Sequence, residues 1–127
     1  MDREIKFRGK TESNQFIFGD LIQYENGDTA IFEKKITRYG YEATQISNRT
    51  KVDKETIGQF TGLHDKNGKD VYENDLVLVN GQIYEVIYVK GMFAIEIKGC
   101  GYVPLKNVIF EIIGNIYDNK DLLEDRK

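Results

Sequence analysis

The stretch Asp65-Lys66-Asn67-Gly68-Lys69-Asp70 is the first place to look for chemistry, because its oxygens are spaced like the start of a calcium-binding loop. Such a loop needs an oxygen ligand at its fifth position, glycine at its sixth and a bidentate glutamate at its twelfth. This chain has Lys69, Asp70 and Leu76 there. A cation would meet an ammonium, so the stretch reads as a β-turn closed by Gly68. His64 and Cys100 are the only histidine and the only cysteine. A His-assisted nucleophile or a zinc site needs further partners, and no spacing supplies them. His64 reads as an exposed residue beside a turn, and Cys100, between two glycines, as a corner thiol open to oxidation. The 21 acidic residues single out no glycosidase or nuclease pair, and neither GxGxxG nor GxxxxGK occurs. No catalytic residue, cofactor-binding residue or metal ligand is assigned, no cofactor is implied, and no enzymatic activity is expected.

The segment from residue 34 to residue 54 carries more weight. Lys34, Lys35, Arg38, Arg49, Lys51 and Lys54 oppose only Glu42 and Asp53, a local balance of +4, with Tyr39 and Tyr41 interleaved. Cations that meet phosphates and rings that stack on bases are the equipment of small β proteins that bind single strands. Against this, residues 65 to 127 hold 8 basic and 11 acidic residues, so that half adds no supporting field. A solvated loop is the plain alternative for such a charge run.

These residues must be positioned by strands. At 127 residues the chain fits one domain that buries roughly two-thirds of its unfolded surface. Its 7 Phe and 8 Tyr, with abundant Ile and Val, suit pleated surfaces, and 12 Gly with a single Pro favour many tight turns over long helices. The expectation is an all-β, mostly antiparallel fold. A net charge of −3 argues against bulk adhesion to nucleic acid or anionic lipid. One cysteine excludes an internal disulfide framework, and no stretch approaches the ~20 apolar residues of a membrane span. A soluble, cytoplasmic protein is expected.

Taken in order, Glu4 to Arg8 alternates, which predicts a half-buried strand with Ile5 and Phe7 inward and Glu4, Lys6 and Arg8 outward. Gln15 to Tyr24 predicts a longer strand bent at Gly19-Asp20, Asn26-Gly27 a type I′ hairpin turn, and Thr29 to Phe32 its return. Residues 34–54 read as loop or short edge strand, with a single helical turn over Val52 to Thr56 capped by Asp53. After the turn at Asp65 to Gly68, a second reversal is expected at Tyr72 to Asp75, with Asn74 in the left-handed region. Leu76 to Val79 is an apolar strand. Asn80-Gly81 and Lys90-Gly91 turn a meander of strands, Val108 to Ile113 closes it, and Asp121 to Asp125 adds a short helical turn. Short strands meeting at tight turns within about 50 residues predict a small SH3-like barrel over 61–127, with 1–60 as an additional N-terminal antiparallel β layer of the same domain.

Three stretches resemble the YopX family of proteins encoded by bacteriophages and prophages: REIKFRG at Arg3 to Gly9, GQFTGLHDKNGKDVYENDLV at Gly58 to Val77, and IGNIYDNKDLL at Ile113 to Leu123. They span the chain, and the middle one is the specific one. Asn74 stands where the family usually has glycine, and the proline frequent near position 120 is missing. The resemblance implies an all-β fold with an SH3-like C-terminal part, in a protein acting inside a bacterial host cell, and it implies no catalytic residue. The leading functional expectation is a non-enzymatic binding module that contacts a host or phage protein, or its own copies, through β surfaces rich in tyrosine. The alternative is a nucleic-acid-binding regulator working through residues 34–54.

Overall fold

The computed structural model describes residues 4–39 and 42–124, with the backbone alone at 34–39, 42–47 and 124. The chain is all-β, with several antiparallel sheets, and its contacts gather into two units, Met1–Gln59 and Phe60–Lys127.

In the first unit, β1 (Phe7–Lys10), β2 (Phe16–Gln23), β3 (Thr29–Tyr39) and the part of β4 (Glu42–His64) up to Gln59 pair in a circuit: β1 with β2, β2 with β3, β3 with β4, and β4 with β1. The circuit works because β2 changes partner midway. Residues up to Gly19 pair with β1, and residues from Asp20 onward with β3. Gly19 is required there, since an added Cβ would run into the Phe32 carbonyl oxygen. The predicted bend is therefore a switch of partner. Gly9 has a packing reason as well: its missing Cβ leaves room for Val52, whose own Cβ would lie 2.9 Å from it.

Three expectations are corrected in this unit. The strand expected over Glu4 to Arg8 begins at Phe7, and two of its residues are placed against the expected polarity: Ile5 is exposed and Arg8 is only 6% accessible, with Lys10 beyond it at 5%. Their burial is made tolerable by the Phe16 ring, with the Arg8 guanidinium 4.4 Å and the Lys10 ammonium 5.0 Å from its centroid, and by Lys10 Nζ donating to Asn14 Oδ1 at 3.1 Å. At Asn26-Gly27 only Gly27 has positive φ. Gly27 N–H donates to the Tyr24 carbonyl and Tyr24 N–H to the Asp28 carbonyl, which is a type I turn followed by a glycine bulge in place of type I′. Thr11 to Gln15 repeats that pattern with Asn14 in the glycine's place.

The third correction concerns residues 34–39 and 42–52, which are regular strand. β3 and β4 stay in register for eleven consecutive pairs, from Thr29↔Val52 to Tyr39↔Glu42. The four pairs nearest the base share β3 with β2, and the seven beyond Phe32 pair with no third strand among the described residues. The helical turn expected over Val52 to Thr56 is a bulge in β4. One β1 residue, Gly9, stands opposite residues 54 to 57, between the pairs Lys10↔Asp53 and Arg8↔Gly58. Asp53 still caps locally, its Oδ1 accepting from Glu55 N–H at 3.0 Å, while Thr56 Oγ1 donates to the Asp53 carbonyl and accepts from Lys10 N–H at 2.8 Å.

In the second unit, β4 residues from Phe60 pair with β5 (Asp70–Tyr72). A sheet of β11 (Glu111–Asn115), β6 (Asp75–Val79) and β7 (Gln82–Glu85) accompanies a sheet of β10 (Gly101–Pro104), β9 (Met92–Ile97) and β8 (Ile87–Val89). The predicted turns at Asn80-Gly81 and Lys90-Gly91 have positive φ at both residues, as type I′ demands, and Asn74 takes φ 76°. Val71, Val77, Val79, Val86, Ile95, Leu105 and Phe110 form one buried cluster, each contributing about 1.5–3 kcal/mol by leaving water. A 3₁₀ turn at Leu105–Asn107 sets Leu105 into that cluster. It displaces the last strand, which starts at Glu111 where Val108 was expected. The terminal helical turn is α1 (Lys120–Glu124).

Candidate functional site

The β3–β4 ribbon holds most of the candidate residues: Lys34, Lys35, Arg38 and Tyr39 in its outer part, the arm beyond the pair Phe32↔Arg49, and Arg49 and Lys51 at the arm's base, where β3 also pairs with β2. Residues directly paired lie on one face of a ribbon and alternate residues repeat that face. Positions 34 and 38 of β3 therefore share a face with positions 49 and 51 of β4, through the pairs Phe32↔Arg49, Lys34↔Ser47, Arg38↔Ala43 and Ala30↔Lys51. That face carries Lys34, Arg38, Arg49 and Lys51 and no carboxylate, with Gln45 and Ser47 among them. The opposite face carries Glu33, Glu42, Lys35 and Tyr39. Side-chain placement at 34–47 and the position of Tyr41 lie outside the described residues. Lys54 sits in the β4 bulge, exposed and apart from the arm.

The two cations at the arm's base have described side chains. Arg49 is exposed, and its Nη1 donates to the Tyr24 hydroxyl at 3.1 Å, a bond that raises its already high pKa. Lys51 reaches toward Asp28 at 3.8 Å, a loose pair between side chains that are 77% and 49% accessible and worth little in water. Lys51 also borders an open cleft of about 840 Å³ between the Thr11–Asn14 turn and the β4 bulge. Lys10 and Lys51 are offset there by Glu12 and Asp53, and the remaining polar groups are hydroxyls and one amide. No histidine or cysteine lines the cleft, so it can hold a polar group by hydrogen bonds but presents neither an imidazole base nor a thiolate nucleophile.

The second unit uses its carboxylates as scaffolding. Asp65, 6% accessible, accepts backbone N–H bonds from Asn67 and Lys69 at 2.9 Å and from Ile112 at 3.0 Å. Burial works against its charge, but those three donors and Lys69 more than offset it, so its pKa is lowered. Asp75, 3% accessible, accepts from Tyr72 N–H at 2.8 Å. Glu85 is pushed the other way, first by burial and then by the nearby charge of Glu73. His64 Nε2 lies 2.9 Å from Asp70 Oδ1, with 55% and 36% of the two side chains accessible. The pair stands on the surface beside the turn where His64 was expected. Cys100 is exposed, and among the described residues no three His, Cys, Asp or Glu converge as a metal site. No described helix is long and apolar enough to cross a membrane.

The model of the family described as YopX protein matches residues 6–124. This chain belongs to the YopX family. Two solved structures have the same fold. Protein EF1440 from Enterococcus faecalis superposes with a TM-score of 0.63 at 20% identity, covering 96% of this chain and 99% of its own. Protein yopX from Bacillus subtilis does so with a TM-score of 0.55 at 17% identity, covering 96% and 97%. No curated protein matches the sequence.

The three stretches that carry the YopX resemblance are structural nodes. The first holds Arg8 above Phe16 and Gly9 beneath Val52. The middle one contains Asp65, Asn74 and Asp75, and ties Asn74 Nδ2 to the Tyr117 hydroxyl at 3.0 Å. In the last, Asn115 Oδ1 accepts from Tyr117 and Asp118 N–H at 2.9 Å, and a side chain at Gly114 would strike Asn119. Sequence reasoning missed the cleft and the interior placement of Arg8 and Lys10. The one available signal was Phe16, which a short polar turn brings back beside them.

Proposed function

We propose that the protein is a non-catalytic binding module, of bacteriophage or prophage origin and acting in the bacterial cytoplasm, whose working element is the β3–β4 arm. One observation carries this: seven register pairs extend past the last third strand. A two-stranded ribbon by itself is marginal in water, and it gains stability when something is laid against it. The fold shared with proteins of Enterococcus faecalis and Bacillus subtilis supports the bacterial setting. Two sheets around a single apolar cluster, with β6 paired to the last strand and a 3₁₀ turn before it, support reading the second unit as an SH3-like barrel that anchors the module.

Two partner classes fit such a ribbon. A host or phage protein, or a second copy of the chain, can add a strand to an open edge, and a nucleic acid can meet the cations. The sorting of charge onto one face favours the second. Removing the arm tests its role. Phe32 and Arg49 are a register pair, so Asn-Gly can join them in place of the residues between. The shortened chain is expected to keep its β circular dichroism and cooperative unfolding. It should lose whatever association the intact chain shows, with copies by light scattering, with oligonucleotides by anisotropy, or with bacterial proteins by capture. An association kept at full strength would remove the arm from this role.

A further inference from the structure

We infer that the arm is a DNA-reading ribbon that lies in the major groove of B-form duplex, with the face that carries Lys34 and Arg38, continued at the arm's base by Arg49 and Lys51, meeting the phosphates. The inference rests on the reading of the arm as the working element and adds the partner. Three observations on the same ribbon converge on it.

The first is size. Paired strands lie about 4.8 Å apart, so a two-stranded ribbon with its side chains fits the ≈ 12 Å major groove, which is known to admit such ribbons. Seven residues of strand span about 23 Å, enough to follow the groove past roughly six or seven base pairs at 3.4 Å per step. The deep, narrow major groove of A-form RNA would not admit it.

The second is charge. Antiparallel register sends all four of these cations to one face and both arm carboxylates, Glu33 and Glu42, to the other. Because the whole chain is −3 and residues 34–54 are +4, the remainder is −7, which leaves the ribbon, arm and base together, as the approach for a polyanion. A protein partner strand would use the ribbon's edges, where main-chain groups are open, and would gain nothing from this segregation of faces. The third is chemistry between the cations: Gln45 and Ser47 occupy the same face, and amides and hydroxyls hydrogen-bond to base edges.

The test is fluorescence anisotropy with a short mixed-sequence DNA duplex, the matching RNA duplex and the single DNA strand, each over a salt series, on the intact chain. Expected is DNA-duplex binding with Kd of about 10⁻⁴–10⁻⁶ M near physiological salt, and a slope of log K against log salt near −4, since each neutralised phosphate contributes ≈ −0.9. The RNA duplex and the single strand should bind at least tenfold more weakly. The double variant Arg49→Gln, Lys51→Gln removes two exposed cations without touching the core, and should make the slope shallower by about two. The control Lys90→Gln, Lys106→Gln should leave it unchanged. An unchanged slope in the first variant, or equal affinity for RNA duplex or single strand, overturns the groove assignment. Absence of duplex binding, with light scattering showing a dimer that the shortened chain no longer forms, overturns the partner but keeps the arm. DNA binding kept at full affinity and with an unchanged slope after removal of the arm, which takes Lys34 and Arg38 and leaves Arg49 and Lys51, overturns both.

Discussion

The two units keep their charged interior groups by opposite means. In the second, the interior is a contiguous apolar cluster, and the buried charges Asp65 and Asp75 are carboxylates answered by backbone N–H groups. In the first, the buried apolar residues among those described are few, Ala30, Ile31 and Val52, and the buried charges are cations laid against one aromatic ring. Backbone amides come with the chain, wherever it turns. A ring has to be brought to the cations by strand pairing. The second unit therefore owes its order to local turns and hydrophobic burial, while the first owes more to the circuit of pairings, and that circuit projects the arm.

Four substitutions sharpen or break this contrast. Leu105→Ala, in the centre of the apolar cluster, should lower the unfolding free energy by about 2–5 kcal/mol in urea melts, the range for deleting a buried leucine. A cost under 1 kcal/mol would mean the cluster is not what holds the second unit. Asp65→Asn keeps the shape and removes the charge that three amides answer, and should cost roughly 1–3 kcal/mol at neutral pH. Because the folded Asp65 pKa lies below its ordinary 3.8, its stabilising effect is present above that value and lost as pH falls through the lowered one. Acid titration of stability should accordingly be flatter in the variant than in the parent.

Phe16→Leu removes the ring beneath Arg8 and Lys10, and should cost about 1–2 kcal/mol, read as faster hydrogen exchange in β1 and β2. If exchange there does not change, the cations are held by other means. The smallest effect is expected of Glu85→Gln. The folded Glu85 pKa is raised above 4.5, so the folded state binds its proton more readily than the unfolded chain does. Its charge is a penalty above the raised value and absent below 4.5. The variant should be more stable at neutral pH by roughly 0.5 kcal/mol or less, with the gain vanishing in acid.

Turn chemistry was the most legible layer of the sequence. Asn74, Asn80-Gly81 and Lys90-Gly91 act within four residues of themselves, so their conformations follow from residue type. Asn26-Gly27 shows the limit, because the same dipeptide closes either a type I′ turn or a type I turn with a bulge, and the flanking register selects between them. The strand at residue 7 was misread for a related reason. Alternation of apolar and charged residues locates an inward face only when the interior is apolar. Here Phe16 makes an interior that accepts cations, and Ile5 is left in water. Residues 34–54 were misread as irregular because their strand signal lies in pairing across the ribbon, which local pattern does not carry.

Composition and turn residues by themselves determined that the chain is all-β, where it reverses, and that a surplus of cations falls in residues 34–54, since each of these depends on residue type and near neighbours. Tertiary structure alone decided which face each cation occupies. In a pleated ribbon a shift of one residue exchanges the faces, and the register of β3 on β4 is set by the pairs at its base, Thr29 with Val52 and Ile31 with Thr50, where Thr29, Ile31 and Val52 are buried.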